Sequence, residues 1–440
     1  MRNRARDVTW SASPLSSASF LSSGFFSRHS ISFHESVGAI PLRVFQIFIP
    51  DIGCWLLNAF GLLFSTRSRL RLLCTPPSYP MKAVLFVLFA LTIAFWCTFA
   101  DDLPRKIQTP RESYANVEVI YDSVTTPHGE RLRTIVTKPR EPKGKLPVIF
   151  VAGWLSCDSV EAPENTRDET GMLFRQLAQL SGFCLFRVDK QGVGDSEGNC
   201  AENDFDSELA GYRAAFRALK NYQFIDTDRI YLLGISNGGG FAPVVPETSA
   251  EQGQVRGFIV VGGWVKTWFE HMLEIERRRF GLMGKTPAEV TERMKGATTL
   301  YHEWLIKKRK VADVVSENAT LTDLWPEGKD RDHLYGRPLT FYEQLQNLNL
   351  AAAWSKVKVP TLVLHGQYDW IMSRGDHELI AQYVNANSPG AARFVEVPEM
   401  GHTLQSYTNW ANAFAGKSSG LNQNSAKLII DWLKDQQRVR

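Results

Sequence analysis

A chain of 440 residues, 44% hydrophobic and 22% charged, has ordinary globular composition, with room for one large α/β domain carrying an insertion or for two domains. Its formal charge of +4 is concentrated at the start: residues 1–80 hold eight Arg, no Lys and three acids, a net +5, and the chain from residue 83 onward carries −2. A folded part so close to neutral excludes the broad basic surface that nucleic acid binding requires.

Residues 1–80 are Ser-rich and Arg-rich and have no helical or strand period. At Met81-Lys82 the pattern changes. Ala83–Phe95 is apolar apart from Thr92, and Thr98-Phe99-Ala100 precedes Asp101-Asp102. A short basic start, an apolar run and a small residue before the break describe a secretory signal peptide over 81–100, with the mature chain from Asp101. The run is short for a spanning helix, which needs about 20 apolar residues. Trp96 before Cys97 argues against a lipoprotein site, which wants a small residue there. Such signals act from an N-terminus, so 1–80 is read as a disordered, non-native extension ahead of a true start at Met81. An organelle-targeting presequence and an internal membrane anchor over 81–100 are the alternatives. The expectation is a secreted or periplasmic protein with no stable membrane insertion after cleavage.

From Val117 onward the chain alternates strand and helix signals. Strand-like runs at Val117–Ser123 and Arg131–Thr137 flank a turn at Pro127-His128-Gly129, and Pro147–Val151 reads as a strand buried on both faces. Helical spacing at Thr170–Leu180, a strand at Phe183–Val188 and an amphipathic helix at Phe205–Leu219 follow. Arg229–Leu233, Gly257–Val261, Thr361–Leu364 and Arg393–Val397 are further strands, and Ala426–Lys434 is a closing helix. This pattern predicts a mostly parallel, doubly wound α/β sheet. It breaks between Trp264 and Lys356, so a helical cap over 264–355 is expected after the sixth strand, between core parts 101–263 and 356–440. Trp264, Trp268 and Trp304 are read as cap packing rather than as a ligand cage.

Gly234-Ile235-Ser236-Asn237-Gly238 fits G-x-S-x-G between a strand and a helix. That turn exposes a nucleophilic Ser on a strained bend, and small flanking residues let the backbone make it. Asp369 lies in the loop after the strand Thr361–Leu364, and Gly401-His402 follows the last strand. In this arrangement His402 takes the Ser236 proton while Asp369 holds the imidazole. Asp376 and Glu399 are the competing acids, each displaced from the strand end, and His365 is read as support for the Asp369 loop.

The order Ser, acid, His and the motifs spread over about 117–437 resemble the α/β-hydrolase superfamily, in its group of serine esterases and S9/S33-type peptidases. The resemblance implies an α/β-hydrolase fold and a serine hydrolase acting on a small-molecule ester, with a peptide or amide substrate as the rival. A non-catalytic binding protein on the same fold is the reading from another class, and the presence of all three residues argues against it. Ala152-Gly153-Trp154 stands where the family has His-Gly-x, so by resemblance Trp154 supplies one oxyanion-hole N–H and Asn237 the other. The missing His departs from the pattern without touching a backbone donor. Asp189–Gly198 is similar to the family's glycine-rich loop, which is structural.

Among the cysteines after residue 100, Cys184 sits in an apolar run as a core thiol, which leaves Cys157 and Cys200 as a candidate disulfide under oxidising export. In the strand order usual for the fold their loops leave neighbouring strands. His128, His271, His302, His333 and His377 are scattered without metal-ligand spacing, so neither metal nor cofactor is expected. Asn318-Ala319-Thr320 is a glycosylation sequon.

Overall fold

A computed structural model describes residues 103–438. The extension over 1–80 and the signal peptide over 81–100 lie outside the described residues. Strands β1 (Val117–Thr125) and β2 (Arg131–Pro139) form an antiparallel hairpin, closed by the Thr126 N–H donating to the Glu130 carbonyl at 2.8 Å. Next come β3 (Leu146–Ala152), helix α1 (Glu169–Leu180), β4 (Cys184–Val188), α2 (Phe205–Ala218) and β5 (Ile225–Ile235). The short α3 (Asn237–Phe241), α4 (Ser249–Gln254) and β6 (Val255–Val261) complete the first core segment.

The insertion follows β6, as the break in pattern predicted. It holds α5 (Trp268–Leu282), α6 (Pro287–Tyr301), α7 (Val311–Glu317), a two-residue hairpin of β7 (His333–Leu334) and β8 (Arg337–Pro338), α8 (Leu339–Gln346) and α9 (Leu350–Ser355). Local sequence starts its long helices: Thr267 with Glu270, and Thr286 with Glu289, form capping boxes, and Pro287 occupies the first turn of α6. The core resumes with β9 (Thr361–Gly366), α10 (Arg374–Asn387), β10 (Ala392–Val397), α11 (Trp410–Phe414) and α12 (Gln423–Arg438).

The eight-stranded sheet has the order β1-β2-β4-β3-β5-β6-β9-β10. Pairing is antiparallel at β1–β2 and β2–β4 and parallel from β4 to β10. Side chains alternate between its faces with the period of two that strands impose. Phe150, Phe186, Leu232, Val260 and Val363 face α2 and the cap. Ile149, Val151, Leu185, Leu233, Val261 and Leu364 face α1 and α12. Each central strand is therefore apolar on both sides, which is why these strands read as continuous apolar runs. The architecture is the α/β-hydrolase fold with a cap after the sixth strand.

Three helices of the core were not foreseen: α4, α10 and the five-residue α11. α4 buries none of its residues, so it leaves no apolar period to read. α10 buries Ile380, Ala381 and Val384 but also Asp376 and His377, whose polar types mask its inner face.

Candidate active site

Ser236 ends the bend between β5 and α3 with φ 56° and ψ −120°, a backbone conformation that non-glycine residues rarely adopt. The flanking glycines are dictated by space. A Cβ at Gly234 would lie 2.4 Å from the Gly238 carbonyl oxygen, and one at Gly238 would lie 2.1 Å from that of Ala152. Only Gly lets the strand, the bend and the helix approach so closely.

The structure brings the three residues expected to act together into one line. His402, in the loop after β10, has Nε2 at 2.8 Å from Ser236 Oγ and Nδ1 at 2.9 Å from Asp369 Oδ2. The other Asp369 oxygen accepts the backbone N–H groups of Ile371 and Met372, each at 2.9 Å, so the carboxylate is fixed before it meets the imidazole. Burial alone would raise this carboxyl, but the charge and hydrogen bond of His402 outweigh it and hold Asp369 well below the usual carboxylate range. Asp369 therefore stays ionised, a fixed negative charge against the His402 ring.

The competing acids stand elsewhere. Asp376 accepts the N–H groups of Val265 and Lys266 at 3.0 and 3.1 Å and the Ser373 hydroxyl at 2.5 Å. Glu399 is exposed, in a bend with φ 60°. His365 packs edge-on against His377, ring centroids 4.8 Å apart, and makes no contact with Ser236. Two of the cap tryptophans are buried and bonded, Trp264 Nε1 donating to Asn237 Oδ1 at 3.0 Å and Trp304 Nε1 to Glu343 at 3.0 Å, whereas the buried Trp268 Nε1 has no hydrogen-bond partner.

Trp154 and Asn237 stand beside Ser236 on a cavity of about 660 Å³ that also contains His402. One wall is apolar and aromatic, from Trp268, Met272 and Ile275 of α5 and Trp370 and Met372 of the acid loop. The other is polar, with Ser156, Asp158, Ser159, Thr166 and Asp168. His271 also faces the cavity, and burial pushes its imidazole down to about 4, so it is neutral at pH 7. Cys157 and Cys200 form a disulfide, Cα atoms 6.0 Å apart, between the loops that leave the neighbouring strands β3 and β4. Cys184 is free and buried.

No residue pattern pointed to the groups that hold the loop carrying Trp154. The Gly153 N–H donates to the Tyr212 hydroxyl at 3.0 Å, and the Gly153 carbonyl accepts the Gly238 N–H at 2.8 Å. The Lys190 ammonium donates to the Trp154 carbonyl and lies 3.5 Å from the Leu155 carbonyl and 3.7 Å from Glu208. The glycine-rich loop, read as structural, thus also touches the site through Lys190. Among the described residues no group of three or more His, Cys, Asp or Glu is placed to hold a metal ion, and no helix is long and apolar enough to cross a membrane.

No curated protein matches the chain. Among solved structures, it resembles Est1E from Butyrivibrio proteoclasticus with ferulic acid bound, at 15% identity and TM-score 0.46, over 72% of this chain and 99% of that one. It also resembles the Pyrococcus horikoshii acylaminoacyl peptidase, at 13% identity and TM-score 0.46, over 73% of this chain and 42% of that one. A third is carboxyl esterase 2 from Tuber melanosporum, at 15% identity and TM-score 0.44, over 79% of this chain and 97% of that one. A family profile described as "Serine aminopeptidase, S33" matches residues 169–406, just over half of the chain, and the chain belongs to that family of α/β-hydrolases.

Proposed function

We propose that this protein is a serine hydrolase that cleaves a carboxylic ester through an acyl-enzyme on Ser236. The observation that carries the reading is the continuous relay Ser236–His402–Asp369, at 2.8 and 2.9 Å, opening on a cavity of substrate size. Ser236 Oγ attacks the ester carbonyl while His402 Nε2 takes its proton. The Trp154 and Asn237 N–H groups receive the oxyanion, since no protein acceptor is bonded to either among the described residues. The tetrahedral intermediate collapses, His402 returns the proton to the leaving alkoxide, and the alcohol departs. Water then repeats the sequence on the acyl group, with His402 again as base, and releases the acid.

Hydrolysis of an N-terminal peptide bond is the second reading, favoured by the description of the family. The same residues serve it, with an amine as the leaving group. Export supports either activity: the 81–100 segment has the pattern of a signal peptide, and the bridge between Cys157 and Cys200 suits an oxidising compartment. N-terminal sequencing of natural material is expected to find a mature chain starting at or near Asp101.

The test is turnover of p-nitrophenyl esters and amino-acid p-nitroanilides by wild type and Ser236→Ala, with fluorophosphonate labelling in parallel. Loss on the order of a millionfold is expected for the variant, and the wild-type preference decides between ester and peptide. Near-normal turnover by folded Ser236→Ala would end the proposal.

A further inference from the structure

We propose that Lys190 is a positioning residue for the oxyanion site: its ammonium fixes the peptide after Trp154 and so keeps the Trp154 N–H aimed at the substrate's carbonyl oxygen. The inference rests on the reading of Ser236 and Trp154 given above. Three successive peptide planes leave the end of β3, and each is held by a different element. The first, between Ala152 and Gly153, is held through its N–H by Tyr212 on α2, at 3.0 Å. The second, between Gly153 and Trp154, has its oxygen on the Gly238 N–H at 2.8 Å. No described peptide bond is cis, and in a trans peptide the C=O and N–H point in opposite directions. Binding that oxygen to the turn after Ser236 therefore turns the Trp154 N–H the other way.

One hydrogen bond leaves a peptide plane free to rock about its axis. The third plane, between Trp154 and Leu155, is where Lys190 acts. With its oxygen on the ammonium, rotation about both backbone bonds of Trp154 is restrained. A donor angle matters here because hydrogen bonds weaken steeply once they bend below about 120°.

The surroundings favour positioning over filling. An ammonium has three donors, and the contacts of Lys190 are the Trp154 carbonyl, the Leu155 carbonyl at 3.5 Å and Glu208 at 3.7 Å. Its side chain is 6% exposed, and burying a charge is costly where an apolar residue of similar volume would pack as well. Glu208 is held in turn by Arg337 from the cap, whose guanidinium reaches the Cys200 carbonyl at 3.0 Å. The lysine is thus itself anchored, through Glu208, to the cap and to the disulfide loop.

The experiment compares wild type with Lys190→Met, which keeps much of the apolar stem. It measures kcat and KM on p-nitrophenyl butyrate and inhibition by phenylboronic acid, whose boron adds to the serine oxygen as a tetrahedral adduct that needs the oxyanion donors. Removing an oxyanion donor outright costs about a hundredfold to a thousandfold. Misaiming one should lower kcat roughly tenfold to a hundredfold, leave KM within about threefold, and weaken phenylboronic acid in proportion to kcat. A purely structural lysine would not link those two losses. Unchanged kcat, or reduced kcat with unchanged boronate affinity, overturns the proposal. If Lys190→Met does not fold, Glu208→Gln removes the lysine's counter-charge with little change of shape, and unchanged kcat and boronate affinity there overturn it equally. Wild-type protein that neither turns over the ester nor binds the boronate overturns the reading of Ser236 before Lys190 is altered.

Discussion

The Asp376 carboxylate accepts the Val265 N–H at 3.0 Å, tying the chain where it enters the cap to the helix that follows the acid loop. This explains why a buried acid seven residues beyond Asp369 has no part in the relay. Asp376→Ala leaves the Val265 and Lys266 N–H groups without their acceptor, and a loss of about 1–3 kcal/mol in urea unfolding is expected. Asp369→Asn preserves the side chain's shape but removes the charge facing His402. Its kcat is expected to fall about ten-thousandfold, with the melting transition still cooperative. Equal loss of turnover in both variants would mean that the acid has been assigned wrongly.

The pH dependence of stability tests the place of Asp376 further. Burial would raise the Asp376 carboxyl, but the Ser373 hydroxyl and the Lys266 charge hold it below its ordinary value. A carboxylate with a depressed folded-state pKa stabilises fully above the unfolded value of about 3.9, and the contribution is lost as pH falls through the folded pKa. The stability gap between wild type and Asp376→Asn should therefore hold from pH 7 to about 5 and shrink below about 4. A gap that widens on acidification would contradict the assignment.

The thiols predict a simple labelling pattern. Burial pushes Cys184 up to about 12, so native protein should leave it unalkylated at pH 8. Peptide mapping without reductant should recover Cys157 linked to Cys200, and reduction should cost about 2–4 kcal/mol of stability. Free thiols at both positions in exported protein would exclude the bridge.

Gly238→Ala tests the bend at Ser236. The added methyl would sit 2.1 Å from the Ala152 oxygen, with backbone on both sides and no flexible group to yield. A destabilisation of more than about 3 kcal/mol is expected, with turnover lost in any protein that still folds. Wild-type stability in Gly238→Ala would show that the bend can relax.

The central strands were legible because both of their faces are buried, so Pro147–Val151 and Gly257–Val261 announce themselves as apolar runs. Ser236, Asp369 and His402 were legible because each sits just past a strand end, where fold order and residue type coincide. The role proposed for Trp154 needed the resemblance, since a backbone donor leaves no mark in residue type. Lys190, Tyr212 and Arg337 were not legible at all. Their partners lie between 36 and 137 residues away, and contacts of that span depend on the reach of side chains across packed elements. α10 hid for a different reason: its inner face carries Asp376, bonded to the Val265 and Lys266 N–H groups, and His377, whose Nε2 accepts the Gly263 N–H at 2.9 Å, so polar types stand where an apolar period would be read.

The place of the cap in the chain also sets the order in which the relay is assembled during synthesis. Polypeptides are made and fold from the N-terminus. Ser236 and its bend are finished before the cap begins, whereas Asp369 and His402 come only after it, on the loops following β9 and β10. A ribosome-bound chain can therefore present Ser236 with no imidazole beside it. The same unfinished chain has an open sheet edge at β6 until β9 pairs with it. His402, the last of the three residues, is added only in the last tenth of translation, so under the proposed function a nascent chain gains hydrolytic competence only as synthesis closes.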